Sequence, residues 1–385
     1  MDRKVLDKER VNSVLLAICI SVNMIIVSIN QFIPINIGVI LIIIFLISIL
    51  LNRSMQVWKN IRVIKIFCLL ICLYLFSYLR LSFNPYFKEY FISFICFGLI
   101  PAYIAVQRVD YRKVLIAISN IYLYTFWILF YIDIDKLSPG NKMGMGYNII
   151  IPIIVSLYLI LKEKNKFKYL FLIVFYGYFS IIISSRGSIL AILVYILLAG
   201  IKNIRKIYTK IFYLIFISLL IYLIYNNFYE ILLLSEKILG NFKIESSFIN
   251  HTLHQMQVSD FSNGRNDIYK IALDYIKQSP ILGNGVAYFE YFNIKYVHNF
   301  VIQLMVEGGL FVTIPILSIL FYGLLKVLVK YDKDDCSEFI LILASMIIPK
   351  LMFSSILWKE QIFWILIVII LKRKNRRGEC RGVIQ

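Results

Sequence analysis

The sequence has few charged residues, and acidic residues are the scarcer kind. Only 16% of the 385 residues are Asp, Glu, Lys or Arg, and 22 acidic residues stand against 41 basic ones. Hydrophobic residues make up 60% of the chain, whereas a typical soluble domain contains about 45–50%. With a mean hydropathy of +0.80, this composition excludes a soluble fold of this length and indicates an all-α polytopic membrane protein.

Apolar runs long enough to cross a bilayer occur along almost the whole chain. A spanning helix needs roughly 17–25 residues, and twelve such runs are present, at residues 11–29, 33–51, 62–81, 88–107, 112–132, 144–161, 167–184, 187–203, 207–226, 299–329, 337–354 and 356–371. The tenth run is too long for one upright helix, and Glu307, Gly308 and Gly309 interrupt it. We therefore expect about 12 transmembrane helices, the tenth of them entered through a short helix and a break.

The basic residues lie mostly on one side of these runs. When the connections are assigned to alternate sides, 28 Lys and Arg fall on the side that holds both termini and 13 on the other, six of those in one long loop. The positive-inside rule places the more basic side in the cytoplasm, with both termini there. The net charge of +19 is thus explained by topology and by anionic lipid headgroups, so it is weak evidence for a nucleic-acid partner.

One loop on the less basic side is far longer than the others. It divides the chain into residues 1–226, with nine helices, the external loop 227–298, and residues 299–385, with three helices and a basic cytoplasmic tail. None of the six cysteines lies in an external connection, so no disulfide is expected. The first apolar run lacks a small-residue cleavage site, so we expect it to be retained as a helix.

The second half of the long loop has a helical pattern. Apolar residues recur with helical spacing at Ile268, Ile271, Ala272, Tyr275 and Ile276, which predicts an amphipathic helix at the external membrane surface. Ser262 or Asn263 is a candidate cap and Pro280 closes the segment. Arg265 lies in the first turn, where free backbone N–H groups already favour an anion.

Three polar candidates follow that helix. Tyr296 belongs to an aromatic patch suited to the interface or to stacking against sugar rings, and His298 stands at the external mouth of the tenth helix. His298 fits a general base or a group that orients a hydroxyl, although a histidine that only caps the helix is the alternative. Glu307 lies deeper, where an acid must be paired, so it neutralises an arginine or steadies the helix break.

Arg186 is a further candidate, between the seventh and eighth runs. It is the only charged residue between Lys168 and Lys202, and an isolated arginine at the end of two apolar helices needs an anion or water. We expect it to contact a substrate, and a snorkelled or internally paired arginine is the alternative. Arg80 and Lys88 stand at the external ends of the third and fourth runs, where they either bind phosphate or snorkel.

Two weaker patterns could indicate a metal. Asp133 and Asp135 form a D-x-D pair, whose oxygens would suit Mg²⁺ or Mn²⁺, but so short a motif is more often the edge of a solvated loop. His251 and His254 are three residues apart and could share a helix face. Two histidines are too few to predict a metal site. We therefore expect no metal and no cofactor.

At these residues the chain resembles the O-antigen polymerase and ligase superfamily, bacterial membrane glycosyltransferases of the GT-C type. Three pieces carry the resemblance, in order around the large loop: SSRGS at Arg186, SNGRNDIYKIALDYIKQSPILGNG at Arg265, and VHNFVIQLMVEGGL at His298. The similarity covers the C-terminal two thirds. It implies a GT-C architecture in the bacterial inner membrane.

The resemblance also implies a chemistry. Oligosaccharides linked through pyrophosphate to undecaprenol would be transferred to a sugar hydroxyl, without nucleotide sugar or metal. Arg186 and Arg265 would hold the pyrophosphate and stabilise the leaving group, and His298 would orient or deprotonate the acceptor. Forked guanidinium contacts with phosphate oxygens suit that task.

Three functions remain open from the sequence. We favour a Wzy-type polymerase of O-antigen or capsular repeat units, because the Ile-, Lys- and Asn-rich composition resembles such polymerases. A ligase that transfers finished polysaccharide to lipid A core is the first alternative. A flippase for the lipid-linked unit is the second, and the 71 residues from Asn227 to Val297 argue against it. A flippase and a chain-length regulator would be pathway partners of the polymerase.

Overall fold

The computed structural model describes residues 3–29, 36–52, 60–81, 84–130, 139–183, 186–241, 246–257, 265–329 and 334–373. These residues are helical with short connections and include no strand. The helices of the first half are α1 Arg3–Ile29, α2 Ile37–Leu51, α3 Ile61–Arg80, α4 Pro85–Ser93, α5 Ile100–Val106, α6 Tyr111–Thr125, α7 Pro139–Leu159 and α8 Lys166–Ile183. Those of the second half are α9 Arg186–Asn203, α10 Ile207–Asn226, α11 Phe228–Asn241, α12 Ser247–Gln257, α13 Arg265–Gln278, α14 Tyr288–Asn293, α15 Phe300–Val329, α16 Asp335–Phe353 and α17 Gln361–Arg373.

Each of the twelve apolar runs coincides with a helix, but only some of these helices have spanning length. Among the described residues, eight candidate spans are long and apolar enough to cross a membrane: Asp7–Ile26, Ile61–Arg80, Pro85–Val106, Lys142–Leu159, Lys166–Ile183, Ile207–Ile224, Phe300–Val329 and Asp335–Phe353. The third of these is α4 joined to α5 through a π-helical turn, Phe94–Leu99. The protein is therefore a multi-pass, all-α membrane protein. The count of twelve spans and the GT-C architecture stay predictions.

The chain forms two compact units. The first comprises residues 1–118, 265–325 and 351–385, and the second comprises residues 119–264 and 326–350. In the first, α17 packs against α1, α3 and α5, and in the second, α7 packs against α8 and α9. The division of the sequence at residues 226 and 298 follows chain order and stays a prediction.

The first half of the long loop is also helical, although its sequence is polar and shows little periodicity. It contains two helices, α11 and α12. They pack through Leu232, Ile249 and Leu253, with Leu239 and Met256 against them. The spacings from Leu232 to Leu239 and from Ile249 to Leu253 are helical, so this signal was present but was outweighed by the polar residues around it.

The predicted amphipathic helix is confirmed as α13, which begins at Arg265 and ends just before Pro280. The proposed caps, Ser262 and Asn263, lie outside the described residues. Ile271, on the predicted apolar face, is 41% exposed. Tyr269 packs against a buried cluster of Ala272, Phe289, Val297 and Val306. This cluster fastens α13 to α14 and to the start of α15.

Helix α15 is broken where its sequence predicted. Gly309 has φ 57° and ψ −161°, which no helix allows, and the break leaves backbone groups without helical partners. The turn at residues 280–285 supplies partners through four backbone hydrogen bonds: Asn284 N–H to Val306 O at 2.7 Å, Gly285 N–H to Glu307 O at 2.9 Å, Leu310 N–H to Pro280 O at 2.9 Å and Phe311 N–H to Ile281 O at 3.0 Å. The external loop is thereby clamped to the break.

Glycine is required on both sides of this clamp. Gly283 has φ 74° and Gly309 has φ 57°, values that L side chains rarely adopt. A Cβ at Gly309 would lie 2.3 Å from the Ile281 carbonyl oxygen, and one at Gly283 would lie 2.5 Å from the Glu307 carbonyl carbon and oxygen. Only glycine lets the two backbones approach this closely.

Candidate functional site

His298 lies between α14 and α15 in a conformation that is uncommon for a residue other than glycine. Its φ is 57°, and the left-handed region costs an L residue about 1–2 kcal/mol. Such strain persists only where the surroundings hold the residue in place, and it is frequent at functional sites. The backbone therefore presents the His298 side chain in a direction that a regular helix start would not provide.

The His298 ring is held on one side and free on the other. It hydrogen-bonds the backbone of Phe353, the last residue of α16, and the Tyr296 ring lies 3.8 Å away between centroids. Its Nδ1 is buried and has no hydrogen-bond partner among the described residues. A neutral imidazole keeps a lone pair on one ring nitrogen, which can accept a hydrogen bond.

Burial, together with the positive charges of Arg265 and Lys295, lowers the pKa of His298 to about 4, against the opposing effect of the hydrogen bond to the Phe353 backbone. The imidazole is therefore neutral at physiological pH. A neutral ring can accept a hydrogen bond from a hydroxyl through its unprotonated nitrogen and can take its proton once that hydroxyl becomes acidic.

Arg265 lies near this ring. Its charge acts on both Tyr296 and His298, and it is the first residue of α13, where the helix N-terminus adds positive potential. Its side chain is only partly buried, so the guanidinium remains accessible. The hydrophobic cluster below α13 accounts for this placement, because it joins α13 to the segment that leads into His298.

Tyr296 lies near Arg265 and His298, so the structure brings together three of the residues predicted for the site. Its hydroxyl donates a hydrogen bond to the Ser354 carbonyl oxygen at 3.2 Å, so its ring is oriented from the same connection that holds His298. The three side chains offer a cation, an aromatic face and a neutral imidazole. Such a combination can bind a phosphate next to a sugar.

Glu307 lies two residues before the break in α15 and is hydrogen-bonded there. The side chain is 1% exposed, and its carboxyl group accepts three hydrogen bonds: from Gln303 Nε2 at 3.1 Å, Ala287 N–H at 3.2 Å and Trp358 Nε1–H at 2.8 Å. These donors satisfy an acid that would otherwise be costly at this depth. The possibility that Glu307 touches substrate stays a prediction.

Arg80 and Lys88 have different surroundings. Arg80 donates from Nη1 to the Gly283 carbonyl oxygen at 3.1 Å, and its guanidinium carbon lies 5.8 Å from the centre of the Tyr288 ring. Arg80 thus supports the turn that clamps the helix break. Lys88 is exposed on α4, where a phosphate could reach it.

Other sequence candidates lie elsewhere or outside the described residues. Arg186 begins α9 in the second unit, and its side chain, like that of His251, is not described. His254 is exposed on α12, and Asp133 and Asp135 lie outside the described residues. Within the described part of the chain, no group of three His, Cys, Asp or Glu side chains could hold a metal.

Two features of the site had no signal in the sequence. The connection at residues 354–360 contacts Tyr296, Gln303 and Glu307, although its sequence indicated only a short turn. Glu290 is 3% exposed, and neither of its carboxyl oxygens has a hydrogen-bond partner of ordinary geometry among the described residues. Tyr90 and Lys359 are close enough to influence it. These contacts join residues far apart in the chain, so local patterns could not reveal them.

Comparison with known proteins supports one family. Residues 169–317 match the family model described as O-antigen ligase. The match begins in α8 and ends within α15, so it includes Arg186, Arg265, His298 and Glu307. No curated protein and no solved structure matches the chain.

Proposed function

We propose that the chain joins undecaprenyl-pyrophosphate-linked oligosaccharide repeat units into an O-antigen or capsular polysaccharide. The reaction takes place on the external face of the bacterial inner membrane. The match of residues 169–317 to the family model described as O-antigen ligase supports the proposal. The structural observation that carries it is the neutral His298 beside the cation of Arg265.

In the proposed reaction, an acceptor sugar hydroxyl attacks the anomeric carbon of the donor. The bond from that carbon to the pyrophosphate oxygen breaks, and undecaprenyl pyrophosphate leaves with the electron pair. The unprotonated ring nitrogen of His298 first orients the hydroxyl and then takes its proton. A weakly basic imidazole is sufficient because the hydroxyl becomes strongly acidic once the new glycosidic bond forms.

Arg186 and Arg265 hold the pyrophosphate in this proposal. Their guanidinium groups stabilise the negative charge that develops on the leaving group, which is a task that metal ions perform in other glycosyltransferases. Tyr296 stacks against a sugar ring, and Lys88 attracts the lipid-linked anion at the membrane surface. The chemistry requires no nucleotide sugar, and both termini of the protein lie in the cytoplasm.

The first test is a reconstituted reaction. The purified protein in nanodiscs receives only the undecaprenyl-pyrophosphate-linked repeat unit, with EDTA present, and the products are separated on a gel. We expect a ladder of increasing length. If no ladder forms from folded protein, addition of Mg²⁺ tests whether a metal is needed, and a failure there as well would refute the polymerase proposal.

The second test concerns the two arginines. Loss of one donor to a developing anion lowers a rate by about 10²–10³, so we expect Arg186→Ala and Arg265→Ala each to reduce polymer formation by that factor. Lys270→Ala is the matched control, because Lys270 is an exposed cation on the same helix as Arg265 and pairs only with Asp267 at the surface, at 3.5 Å. Normal polymer from the double arginine variant, at wild-type expression, would refute the site.

A ligase is the second candidate, because residues 169–317 match the family model described as O-antigen ligase. The same residues would then serve a different acceptor, lipid A core, and the donor would be the finished polysaccharide. Adding lipid A core to the reconstituted protein distinguishes the two candidates. Transfer to the core without a ladder would identify a ligase.

A further inference from the structure

A patch of exposed apolar side chains lies where the external loop is clamped to α15. Its members are Ile281, Leu282, Leu310, Phe311 and Ile314, each between 41% and 64% exposed. Two of the clamp's hydrogen bonds, from Leu310 N–H to Pro280 O and from Phe311 N–H to Ile281 O, join the turn at residues 280–285 directly to the helix. These five side chains are therefore neighbours, and we call them the clamp patch.

The apolar face of α13, the helix that precedes this turn, is already covered by protein. Ile268, Tyr275 and Ile276 pack against the buried cluster that joins α13 to α14 and α15. Its outward side carries exposed ion pairs, such as Lys277 with Asp274 at 2.8 Å. The apolar face of α13 is therefore not available to a membrane, whereas the clamp patch is exposed.

Two candidate spans place the clamp patch at the edge of the hydrocarbon layer. Of the 30 residues of α15, 20 follow Gly309, and at about 1.5 Å per residue these measure about 30 Å, which is the thickness of the hydrocarbon core. Helix α3 also has 20 residues and ends at Arg80, which donates to the Gly283 carbonyl oxygen at 3.1 Å. Both helices therefore reach the boundary of the bilayer at the same turn.

The turn is suited to this boundary because many of its polar groups are bonded within the protein. Besides the four backbone bonds to α15, Ser279 Oγ donates to the Gly283 carbonyl oxygen at 2.7 Å and Asn284 Nδ2 donates to the Tyr275 carbonyl oxygen at 2.9 Å. Irregular backbone is tolerated beside lipid only where the protein supplies such partners. The side chains of Ile281 and Leu282 point outwards from this bonded frame.

We propose that the clamp patch is inserted into the bilayer, with Ile281 and Leu282 against phospholipid acyl chains in the leaflet on the side of the site. Acyl chains are the partner because the patch continues along α15 from Ile314 to the exposed Phe321, within a helix long and apolar enough to span the membrane. An apolar surface of this kind sits at the boundary between headgroups and acyl chains. The insertion fixes the height of α13 and Arg265 above the membrane, and its value for binding a lipid-linked donor rests on the proposed function.

The test is electron paramagnetic resonance of a nitroxide spin label on Leu282→Cys, in nanodiscs of synthetic phospholipids. The label is attached to a variant whose six native cysteines are replaced by serine or alanine. Oxygen is enriched in hydrocarbon and a nickel chelate stays in water, so we expect this label to collide more often with oxygen. Leu273→Cys is the matched control, because Leu273 is a 49% exposed leucine of the same loop that lies among the charged residues of α13, and its label should prefer nickel.

Each other outcome overturns the proposal. A preference for nickel at Leu282→Cys would put the turn in water, and few collisions with either reagent would mean that protein, such as a second copy of the chain, covers the patch. A preference for oxygen that arises only after undecaprenyl phosphate is added would assign the patch to a polyprenyl chain instead of phospholipid. The measurement needs no turnover, so its result is independent of the proposed reaction.

A second measurement serves if the cysteine-free protein does not fold. Leu282→Asp and Leu273→Asp are made in the otherwise unchanged chain, and thermal melts are recorded in nanodiscs. A carboxylate beside acyl chains is costly, so we expect a lower Tm for Leu282→Asp and little change for Leu273→Asp, which adds a charge to a face that is already polar. Equal Tm values for the two variants would overturn the proposal.

Discussion

At the scale of single residues, the buried Glu290 predicts how the stability of the protein depends on pH. Burial raises its pKa from the ordinary value of 4.5 to about 7, against the opposing effects of Tyr90 and Lys359. Between these two pH values the folded state holds a proton that the unfolded state has lost. Stability therefore falls as pH rises from about 4.5 to about 7, and the loss remains in full above that range.

Glu290→Gln should remove this part of the pH dependence. We expect the variant to melt at a higher temperature than the wild type at pH 8 and to show a smaller difference at pH 4.5, in thermal melts in detergent. Glu89→Gln is the control, because the Glu89 side chain is 54% exposed and pairs with Lys359 at 2.6 Å. An equal gain in Tm from Glu290→Gln at both pH values would contradict the assignment.

At the scale of the helices, the break in α15 depends on glycine. In Gly309→Ala, the added methyl group would overlap the Ile281 carbonyl, and the positive φ would be strained. We expect the break to shift, the turn at residues 280–285 to detach, and Tm to fall. The fall should accompany weaker protection of α13 in hydrogen exchange, because that turn joins α13 to α15.

Gly177→Ala is the control for the break. Gly177 lies inside α8, and a Cβ there would meet nothing within 4 Å. Since alanine favours a helix over glycine by about 1 kcal/mol, Tm should stay the same or rise slightly. If Gly309→Ala were as stable as Gly177→Ala, the clamp would not determine the position of the break.

At the scale of the whole molecule, the distribution of charge predicts the orientation in the membrane. Lys277 lies at the end of α13 with a 77% exposed side chain, in the loop expected outside, whereas Lys164 lies in a basic connection expected inside. In intact cells stripped of their outer membrane, an impermeant maleimide should label Lys277→Cys at once. Lys164→Cys should react only after the inner membrane is opened.

The wild-type protein is the control for labelling of the native cysteines in that experiment. Labelling of Lys164→Cys from outside, with Lys277→Cys protected, would reverse the orientation and place the site in the cytoplasm. Labelling of both from outside would instead reduce the number of spans between them. The experiment therefore also tests part of the count of twelve.

The sequence by itself determined the helices, the break and the chemical types at the site. Hydrophobic length identified the apolar helices, helical spacing and Pro280 bounded α13, and two glycines marked the break in α15, because each of these signals acts over a few residues. Arg265 and His298 could be identified as candidates because a polar group in an apolar chain has a high free-energy cost.

Only the tertiary structure decided how those parts are held. Arg80 meets Gly283 across 203 positions, and Glu307 meets Trp358 across 51, and no local pattern records such pairs. His298 likewise meets the backbone of Phe353, from a different helix. The physical reason is that a buried polar group must find a donor or acceptor somewhere, and in this protein the packing of distant helices determines which one it finds.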